Sequence, residues 1–425
     1  MEDTTKKPGP SAARRLVVRT LTAAAHRFPQ LVPIPIHTES LSPPDANLAL
    51  AIHRTCLQRW ITIEHVLDLF LSQPMRHLEP SMRSVLLSGG AQLLFLDRLP
   101  RHAVVHESVD LARRMVRPRA GSMVNAVLRR VAQLVGATTK QDWIPRADRL
   151  PLPGGVVELS TPCLPEPNLL EAHLSIATSH RRGLVSRWIE AYGQDRATSL
   201  CRHGVRQPPI LVANEGHFNP WTDSHEKLVR FLSTDPRRRV QDPATARPIE
   251  ATSHLRPKTI IDYCAGRGTK TRQLLELHPQ AHIHACDVDR QRLKDLSLVF
   301  NQTGQVNVTD PSQLPDAADL VVLDVPCTNT GVLARRPEAR YRFDRRSLSA
   351  LVKLQRNILI AAIPRVTATG YLLYCTCSLE HEENQDQTRW IMDQSGARLI
   401  EEAQTLPPPH DHLYHDGGYY ALLQK

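Results

Sequence analysis

The stretch Thr259-Ile-Ile-Asp262-Tyr-Cys264-Ala-Gly266-Arg-Gly268-Thr-Lys270-Thr271 decides the fold of the C-terminal part of this 425-residue chain. Its first five residues predict a buried strand, and the two glycines let the backbone turn tightly into a helix expected at 270–278. Further short apolar runs alternate with helical stretches; the runs are 282–286, 319–323 and 370–375, and the helical stretches are 290–300 and 347–363. This alternation predicts a parallel α/β sheet that binds its ligand at the carboxyl ends of the strands. A last run, 419–423, is expected to form an antiparallel edge strand.

The glycine loop and the acids that follow it indicate a nucleoside-bearing cofactor. The loop has neither P-loop spacing nor the third glycine of the dinucleotide fingerprint. Asp287, at the end of the next strand, can accept hydrogen bonds from both hydroxyls of a ribose. Asp310 follows a third expected strand, where a carboxylate could accept a hydrogen bond from an adenine amino group. It fits a turn or cap before Pro311 equally well.

Two cysteine-bearing segments are expected at the same edge of the sheet. They are Leu323-Asp324-Val-Pro-Cys327-Thr-Asn-Thr-Gly331 and Tyr374-Cys375-Thr-Cys377-Ser378. Such side chains suit the methylation of cytosine at carbon 5. This carbon becomes nucleophilic only after a thiolate adds to carbon 6, and an acid and a base then complete the reaction. One cysteine of this kind is more often a buried small residue than a nucleophile. Two cysteines and an aspartate around one cleft favour this chemistry.

The first third of the chain differs in pattern and in charge. Residues 13–135 have apolar positions at helical spacing, which predicts an all-α domain. Its helices are expected at 14–26, 48–60, 64–71, 84–96, 104–115 and 122–134. Residues 13–150 contain 19 Arg and Lys against 10 Asp and Glu, nearly the whole net charge of +10. A concentrated basic surface indicates a nucleic-acid partner, although an arginine-rich helical surface without a ligand has the same composition.

The remaining segments are described mainly by composition. Proline and glycine at 136–169 indicate a linker. Residues 170–250 form a smaller segment, whose basic run Arg237–Arg239 fits a solvated loop as well as an RNA contact. We expect no membrane span and no export, because the chain has no apolar run of 18 residues and starts with a polar segment. Eight cysteines without a Cys-x-x-Cys pair indicate a reducing cytoplasm. The 20 histidines show no metal-ligand spacing, so no metal is expected.

These segments resemble the RsmB (Sun/Fmu) family of RNA cytosine-C5 methyltransferases. The stretch from Asp324 through Cys327 to Arg335 and Pro337 resembles the family's Asp-Ala-Pro-Cys-Ser-x-Thr-Gly block and its trailing Arg and Pro. Thr376-Cys377-Ser378, followed by Glu382-Glu383-Asn384, resembles its Thr-Cys-Ser…Glu-Glu-Asn block. Three shorter stretches also fit: Leu99-Pro100-Arg-His-Ala, Val240-Gln241-Asp242 and Asp416-Gly-Gly.

The resemblance implies an architecture and an activity. It implies an all-α NusB-like RNA-binding domain at 13–135, a small RNA-binding (N1-type) subdomain at 170–250 and a Rossmann-like class I methyltransferase domain at 251–425. The cofactor would be S-adenosylmethionine and the substrate a cytosine of small-subunit (16S) rRNA, methylated at carbon 5. The chain would be a cytoplasmic monomer.

The resemblance also implies roles for single residues. Cys377 would be the nucleophile, Cys327 would help to release the product, and Asp324 would touch both the base and the cofactor. The cofactor contacts would be Cys264, Ala265, Gly266, Arg267, Gly268, Thr269, Lys270, Asp287, Asp310 and Asp324.

Three other interpretations compete with this one. The loop departs from the family's Cys-Ala-Ala-Pro-Gly-Gly-Lys-Thr, with Arg267 in place of proline and Thr269 in place of glycine. This departure favours a catalytically impaired, methyltransferase-like RNA-binding factor of ribosome assembly. A nucleotide-dependent oxidoreductase would use the same sheet but needs the third glycine. A DNA cytosine methyltransferase would use the Pro-Cys cysteine, Cys327, as its nucleophile.

Overall fold

The computed structural model describes residues 11–214, 216–235, 237–409 and 413–425. They form two compact units. The first unit runs to Gln207 and includes a later excursion, Arg336–Phe343, while the second consists of Pro208–Arg335 and Asp344–Lys425. The segment expected at 170–250 is therefore divided between the two units.

Fifteen α-helices and 13 strands occur within the described residues. The helices are α1 (Ala12–Arg27), α2 (Pro43–Asp68), α3 (Pro80–Phe95), α4 (Arg101–Met115), α5 (Ala120–Leu134), α6 (Leu170–Ala177), α7 (Arg182–Tyr192), α8 (Gln194–Gly204), α9 (His225–Ser233), α10 (Pro243–Glu250), α11 (Thr269–Leu277), α12 (Arg290–Phe300), α13 (Ala339–Arg342), α14 (Arg345–Ala362) and α15 (Gln385–Ser395). The strands are β1 (Val135–Thr139), β2 (Arg149–Leu152), β3 (Gly155–Leu159), β4 (Leu211–Asn214), β5 (His217–Pro220), β6 (Arg239–Val240), β7 (Thr259–Asp262), β8 (His282–Ala285), β9 (Val306–Val308), β10 (Ala318–Asp324), β11 (Val366–Thr376), β12 (Arg398–Thr405) and β13 (Gly418–Gln424).

A helical bundle, α1–α5, forms the core of the first unit. Helix α3 is buried almost all round, as its apolar sequence predicts, and it packs against the other four helices. Two glycines permit the close packing. A Cβ on Gly89 would lie 2.5 Å from Leu128 Cδ1 of α5, and one on Gly90 would lie 2.7 Å from Ile63 Cγ2 of α2.

The helices expected at 48–60 and 64–71 are one helix, α2, which is kinked at Arg59 (φ −122°, ψ 17°). A kink frees backbone groups that need other partners. The segment Arg336–Phe343 supplies these partners, because Tyr341 donates to the Leu57 carbonyl (2.7 Å) and accepts from the Trp60 amide (3.2 Å). The fully buried Arg340 donates to the carbonyl of Gln58 (3.2 Å).

Arg340 also donates hydrogen bonds at the carboxyl ends of two further helices. Its guanidinium donates to Thr178 O (3.2 Å) after α6 and to Gly204 O (2.6 Å) at the end of α8. A cation is favourable at the carboxyl end of a helix, where carbonyl groups lack intrahelical partners. Residues 336–343 are therefore an integral part of the first unit, although the chain reaches them only after β10.

The segment expected to be a linker, 136–169, contains most of a three-stranded antiparallel sheet with the order β1-β3-β2. Pro153 and Gly154 make the turn between β2 and β3, which explains why composition alone suggested a linker. Val156 and Val157 of β3 are buried. These strands are too short for a periodicity signal to stand out.

The second unit is built on a seven-stranded sheet with the order β12-β13-β11-β10-β7-β8-β9. The five strands from β11 to β9 are parallel, and β13 runs antiparallel to β11 and β12. The run expected as an antiparallel edge is thus antiparallel but interior, and the edge is β12, which the sequence analysis missed. The strand order reverses between β7 and β10, which is where open α/β sheets bind ligands.

A smaller three-stranded sheet, β5-β4-β6, precedes the large one. The basic run next to it is held by its own neighbours. Arg239 is buried and ion-paired with Glu276, Arg237 pairs with Asp235 (2.9 Å), and Arg238 lies 4.2 Å over the Phe231 ring. These partners give the run a structural role in this part of the fold.

Candidate active site

The glycine loop joins β7 to α11 at the switch point of the sheet. Gly266 (φ +59°) and Gly268 (φ +79°) adopt left-handed backbone conformations that favour glycine. A Cβ on Gly268 would lie 2.8 Å from Phe300 Cε2 and 2.9 Å from Leu296 Cδ2, whereas one on Gly266 would meet only Cys264 O at 3.9 Å. Thr269 begins α11 and needs no positive φ. The altered loop is therefore compatible with a regular strand–turn–helix.

Asp287, just beyond β8, is held against this loop. Its buried carboxylate accepts from the amides of Gly266 (3.1 Å) and Asp289 (2.9 Å) and lies 3.3 Å from Arg292 Nη1. These bonds place one carboxylate beside the turn where the cofactor's ribose is expected.

Asp310 is an exposed residue just after β9. It accepts from the amide (3.0 Å) and hydroxyl (2.8 Å) of Ser312, and these bonds hold the pKa of Asp310 below its ordinary value. The structure thus realises the cap interpretation of Asp310. Its contact with an adenine stays a prediction.

An ion pair lies at the carboxyl ends of β7 and β10. Lys270 Nζ is 2.7 Å from Asp324 Oδ2, and the Cys375 thiol is 3.7 Å from Asp324 Oδ1. Burial lowers the pKa of Lys270, but the Asp324 carboxylate and the neighbouring Cys375 and Cys377 together outweigh burial, and the net pKa is raised. Lys270 therefore stays charged, and both oxygens of Asp324 are oriented by neighbours.

A third carboxyl group, Asp262, is completely buried beneath the loop. Its Oδ2 accepts from Thr271 Oγ1 at 2.6 Å, whereas its Oδ1 has no hydrogen-bond partner within the described part of the chain. Burial, with a further contribution from Asp324, raises the pKa of Asp262 to about 6. A buried acceptor without a partner is costly, and it suits a site that a ligand completes.

The two loop cysteines lie together. Both are free thiols, and their side chains are close enough to interact. The neighbouring Cys377 side chain and burial raise the pKa of the Cys327 thiol well above its ordinary value. Cys327 is 7% exposed, while Cys377 is only partly buried. The structure thus brings together the two cysteines that the sequence places 50 residues apart.

Glu383 ties the two cysteine loops to each other. Its buried carboxylate accepts from the amide of Thr328 (3.0 Å), next to Cys327, and from Gln355 Nε2 (2.9 Å) of α14. Burial raises the pKa of Glu383 to about 7, although its hydrogen bonds oppose the rise. In the sequence Glu383 stands out only as part of a family block. Its burial was the missing signal, since an acid in a polar run looks exposed.

The described residues contain neither a metal-binding cluster nor a membrane-spanning helix. No group of three or more His, Cys, Asp or Glu side chains is arranged to hold a metal ion. Among the helices described, none has the length and apolar character needed to cross a bilayer.

Comparison with known proteins agrees with this architecture. The family model described as 16S rRNA methyltransferase RsmB/F matches residues 253–411, and that of the NusB family matches residues 11–133. A protein named ribosomal RNA small subunit methyltransferase B from Vibrio cholerae is 27% identical over 417 residues, covering 92% of each chain. Its namesake from Xanthomonas campestris is 28% identical over 419 residues, covering 90% of each chain.

A solved structure shares the whole fold. The crystal structure of PH0851 has a TM-score of 0.71 and 20% identity, and the match covers 99% of this chain and 100% of that one. The RsmB/F match lies on the large sheet and its loops, the NusB match on the helical bundle, and the full-length relatives join both. Residues 253–411 therefore match the RsmB/F family of 16S rRNA methyltransferases, and residues 11–133, ahead of them, match the NusB family.

Proposed function

We propose that this chain transfers a methyl group from S-adenosylmethionine to carbon 5 of a cytosine in small-subunit (16S) rRNA. The observation that carries the proposal is that the side chains of Cys327 and Cys377 lie close enough to interact, on loops next to the Asp324–Lys270 ion pair. The relatives named ribosomal RNA small subunit methyltransferase B support the substrate class.

The residues of the glycine loop fit S-adenosylmethionine. The carboxyl groups of Asp262, Asp287 and Asp324 lie around the loop, and Asp262 Oδ1 has no hydrogen-bond partner among the described residues. These acceptors suit a ligand with a sulfonium and an ammonium group. The backbone at Gly266 is open to close approach. Residues 264–270 with Asp287, Asp310 and Asp324 would hold the cofactor, which supplies an electrophilic methyl group when bound.

The side chains of the site divide the remaining work. Cys377 forms a bond through Sγ to carbon 6 of the base, and the electron pair of the C5–C6 double bond makes carbon 5 nucleophilic. Asp324, oriented by Lys270, would pass to N3 the proton that the Cys377 thiol gives up, and this proton offsets the negative charge that the sulfur brings into the ring. After transfer, the carbon 5 proton passes to solvent, the double bond reforms, and Cys377 departs as a thiolate that recovers its proton from N3. Cys327, in contact with Cys377, assists this release.

Transfer of a radiolabelled methyl group to unmodified small-subunit rRNA tests the proposal. The wild type should label cytosine, Cys377→Ala should not, and Cys327→Ala should accumulate a covalent protein–RNA adduct. Cys163→Ala is the matched control, since Cys163 is a partly buried free cysteine of the first unit. An adduct in Cys377→Ala, or unimpaired turnover in it, would reassign the nucleophile. Failure of the wild type to label RNA or bind the cofactor would favour the RNA-binding assembly factor.

We also propose that the NusB-family bundle contacts the RNA backbone. Its α4–α5 region presents exposed arginines, namely Arg113, Arg114, Arg117, Arg119, Arg129 and Arg130. Phosphate contacts make affinity salt-dependent. The double variant Arg129→Ala/Arg130→Ala should therefore bind RNA more weakly and with a shallower salt dependence, while its affinity for S-adenosylmethionine stays unchanged. An unchanged salt dependence would refute this contact.

A further inference from the structure

A buried ionic cluster holds the far end of the loop that follows β10. Arg335 Nη2 lies 3.0 Å from Asp242 Oδ2, and its Nε lies 2.5 Å from Asp416 Oδ2. The side chains of Asp242 and Asp416 are only 3% and 1% exposed. Arg335 also donates to Pro209 O (3.0 Å), and its guanidinium lies 5.2 Å from the Tyr414 ring. One cation thus joins three segments that are far apart in the sequence.

The cluster has little freedom to rearrange. The two aspartates are also joined directly, because the backbone amide of Asp416 donates to Asp242 Oδ1 at 2.9 Å. Tyr414 donates from its hydroxyl to Asp416 Oδ1 at 2.6 Å. Burial and the neighbouring Asp242 raise the pKa of Asp416 to about 6. Without the guanidinium two buried like charges would face each other, so Arg335 determines the arrangement.

Hydrogen bonds connect this cluster to the backbone of Cys377. The residue after Asp416, Gly417, donates its amide to Gly331 O (2.8 Å), and Gly331 donates its own amide to Cys377 O (2.9 Å). The contact at Gly331 is tight, since a Cβ there would lie 2.7 Å from Gly417 C and 2.9 Å from Cys377 O. Gly417 and Gly331 therefore form a hydrogen-bonded path from Asp416 to the backbone of Cys377.

We propose that Arg335 is a positioning residue, which fixes the place of Cys377 through Asp416, Gly417 and Gly331. The inference rests on the proposed function, in which Cys377 attacks the base. We expect Arg335 to affect the attack step and not cofactor binding, because other contacts, those of Asp287 and Asp324, hold the cofactor loop. A displacement of a reacting group by about 1 Å can slow a reaction by about 100-fold.

The test compares full-length Arg335→Lys and Asp416→Asn with the wild type. The control is Arg389→Lys, which alters an exposed ion pair with Asp386 on α15 of the same unit. Three quantities are measured: the affinity for S-adenosylmethionine, the single-turnover rate of methyl transfer at saturating RNA, and the rate of adduct formation in a Cys327→Ala background.

We expect both cluster variants to keep their thermal midpoint within a few degrees and their cofactor affinity within about twofold. Their transfer and adduct rates should fall together by about 10- to 100-fold, with little change in KM for RNA, and the control should match the wild type. Wild-type rates in both variants, or a loss confined to cofactor affinity, would overturn the proposal. So would unfolding of both variants, which would make the cluster a stability element. A wild type without transfer activity would instead refute the proposed function.

Discussion

Replacing Gly268 by alanine should destabilise the second unit by about 2–5 kcal/mol. A left-handed backbone conformation costs an L-residue about 1–2 kcal/mol. The new Cβ would also lie 2.8 Å from Phe300 Cε2 and 2.9 Å from Leu296 Cδ2, and such overpacking costs about 1–3 kcal/mol. Gly266→Ala is the matched control, because Gly266 has a similar φ of +59° but open space around its Cβ. It should lose only the backbone contribution.

Equilibrium urea unfolding of the full chain gives the free energy of unfolding of each of the two variants. Hydrogen exchange of peptides from β7 and β8 reports on the second unit alone. A double variant isolates the crowding: Phe300→Leu should be less destabilising in the Gly268→Ala background than in the wild type, because it removes the atoms that the Cβ meets. The prediction is wrong if Gly268→Ala loses no more stability than Gly266→Ala, or if Phe300→Leu is equally destabilising in both backgrounds.

Two further predictions concern buried charged groups. Burial raises the pKa of Glu383 from 4.5 to about 7, so the folded protein binds a proton that the unfolded chain releases, and stability should fall as pH rises between these values. In Glu383→Gln the thermal midpoint should depend less on pH between pH 5 and 7. An unchanged slope in this range would contradict the prediction. Arg340→Met should destabilise the first unit by about 3 kcal/mol, since three carbonyl groups lose a charged donor. Hydrogen exchange of α6 and α8 checks this, with the exposed Arg182→Met as control.

The parallel sheet and the grouping of its loops could be predicted because both depend on local pattern. Strands β7, β8, β10 and β11 are short apolar runs, and the carboxyl ends of parallel strands meet at one edge whatever the details of packing. The edge strand β12 was missed because its sequence, RLIEEAQT, is largely polar. Charged residues on an edge strand prevent pairing with other chains, and they also hide the strand from a hydrophobicity pattern.

Features that depend on contacts distant in sequence could not be predicted. The kink of α2 at Arg59 is satisfied by residues 340–341, almost 300 positions later. The net charge of the first third also overstates how basic its surface is, because some of its basic residues are buried. Arg14, Arg59 and Arg83 are buried and bonded to neighbouring groups of the first unit. A count of charges cannot separate such residues from those that could meet a phosphate.

The environments of the two loop cysteines give a physical reason for their proposed division of labour. Cys327 is 7% exposed, and the neighbouring Cys377 side chain and burial raise its pKa well above the ordinary value, so it remains a thiol near neutral pH. A protonated, buried sulfur is a poor nucleophile. Cys377 is the more exposed of the two, and its backbone is fixed by Gly331. This asymmetry argues against attack by the Pro-Cys cysteine, as a DNA cytosine methyltransferase would use, and in favour of Cys377. Cys327 also lies next to the sulfur that must later depart, which is where a residue that assists release is needed.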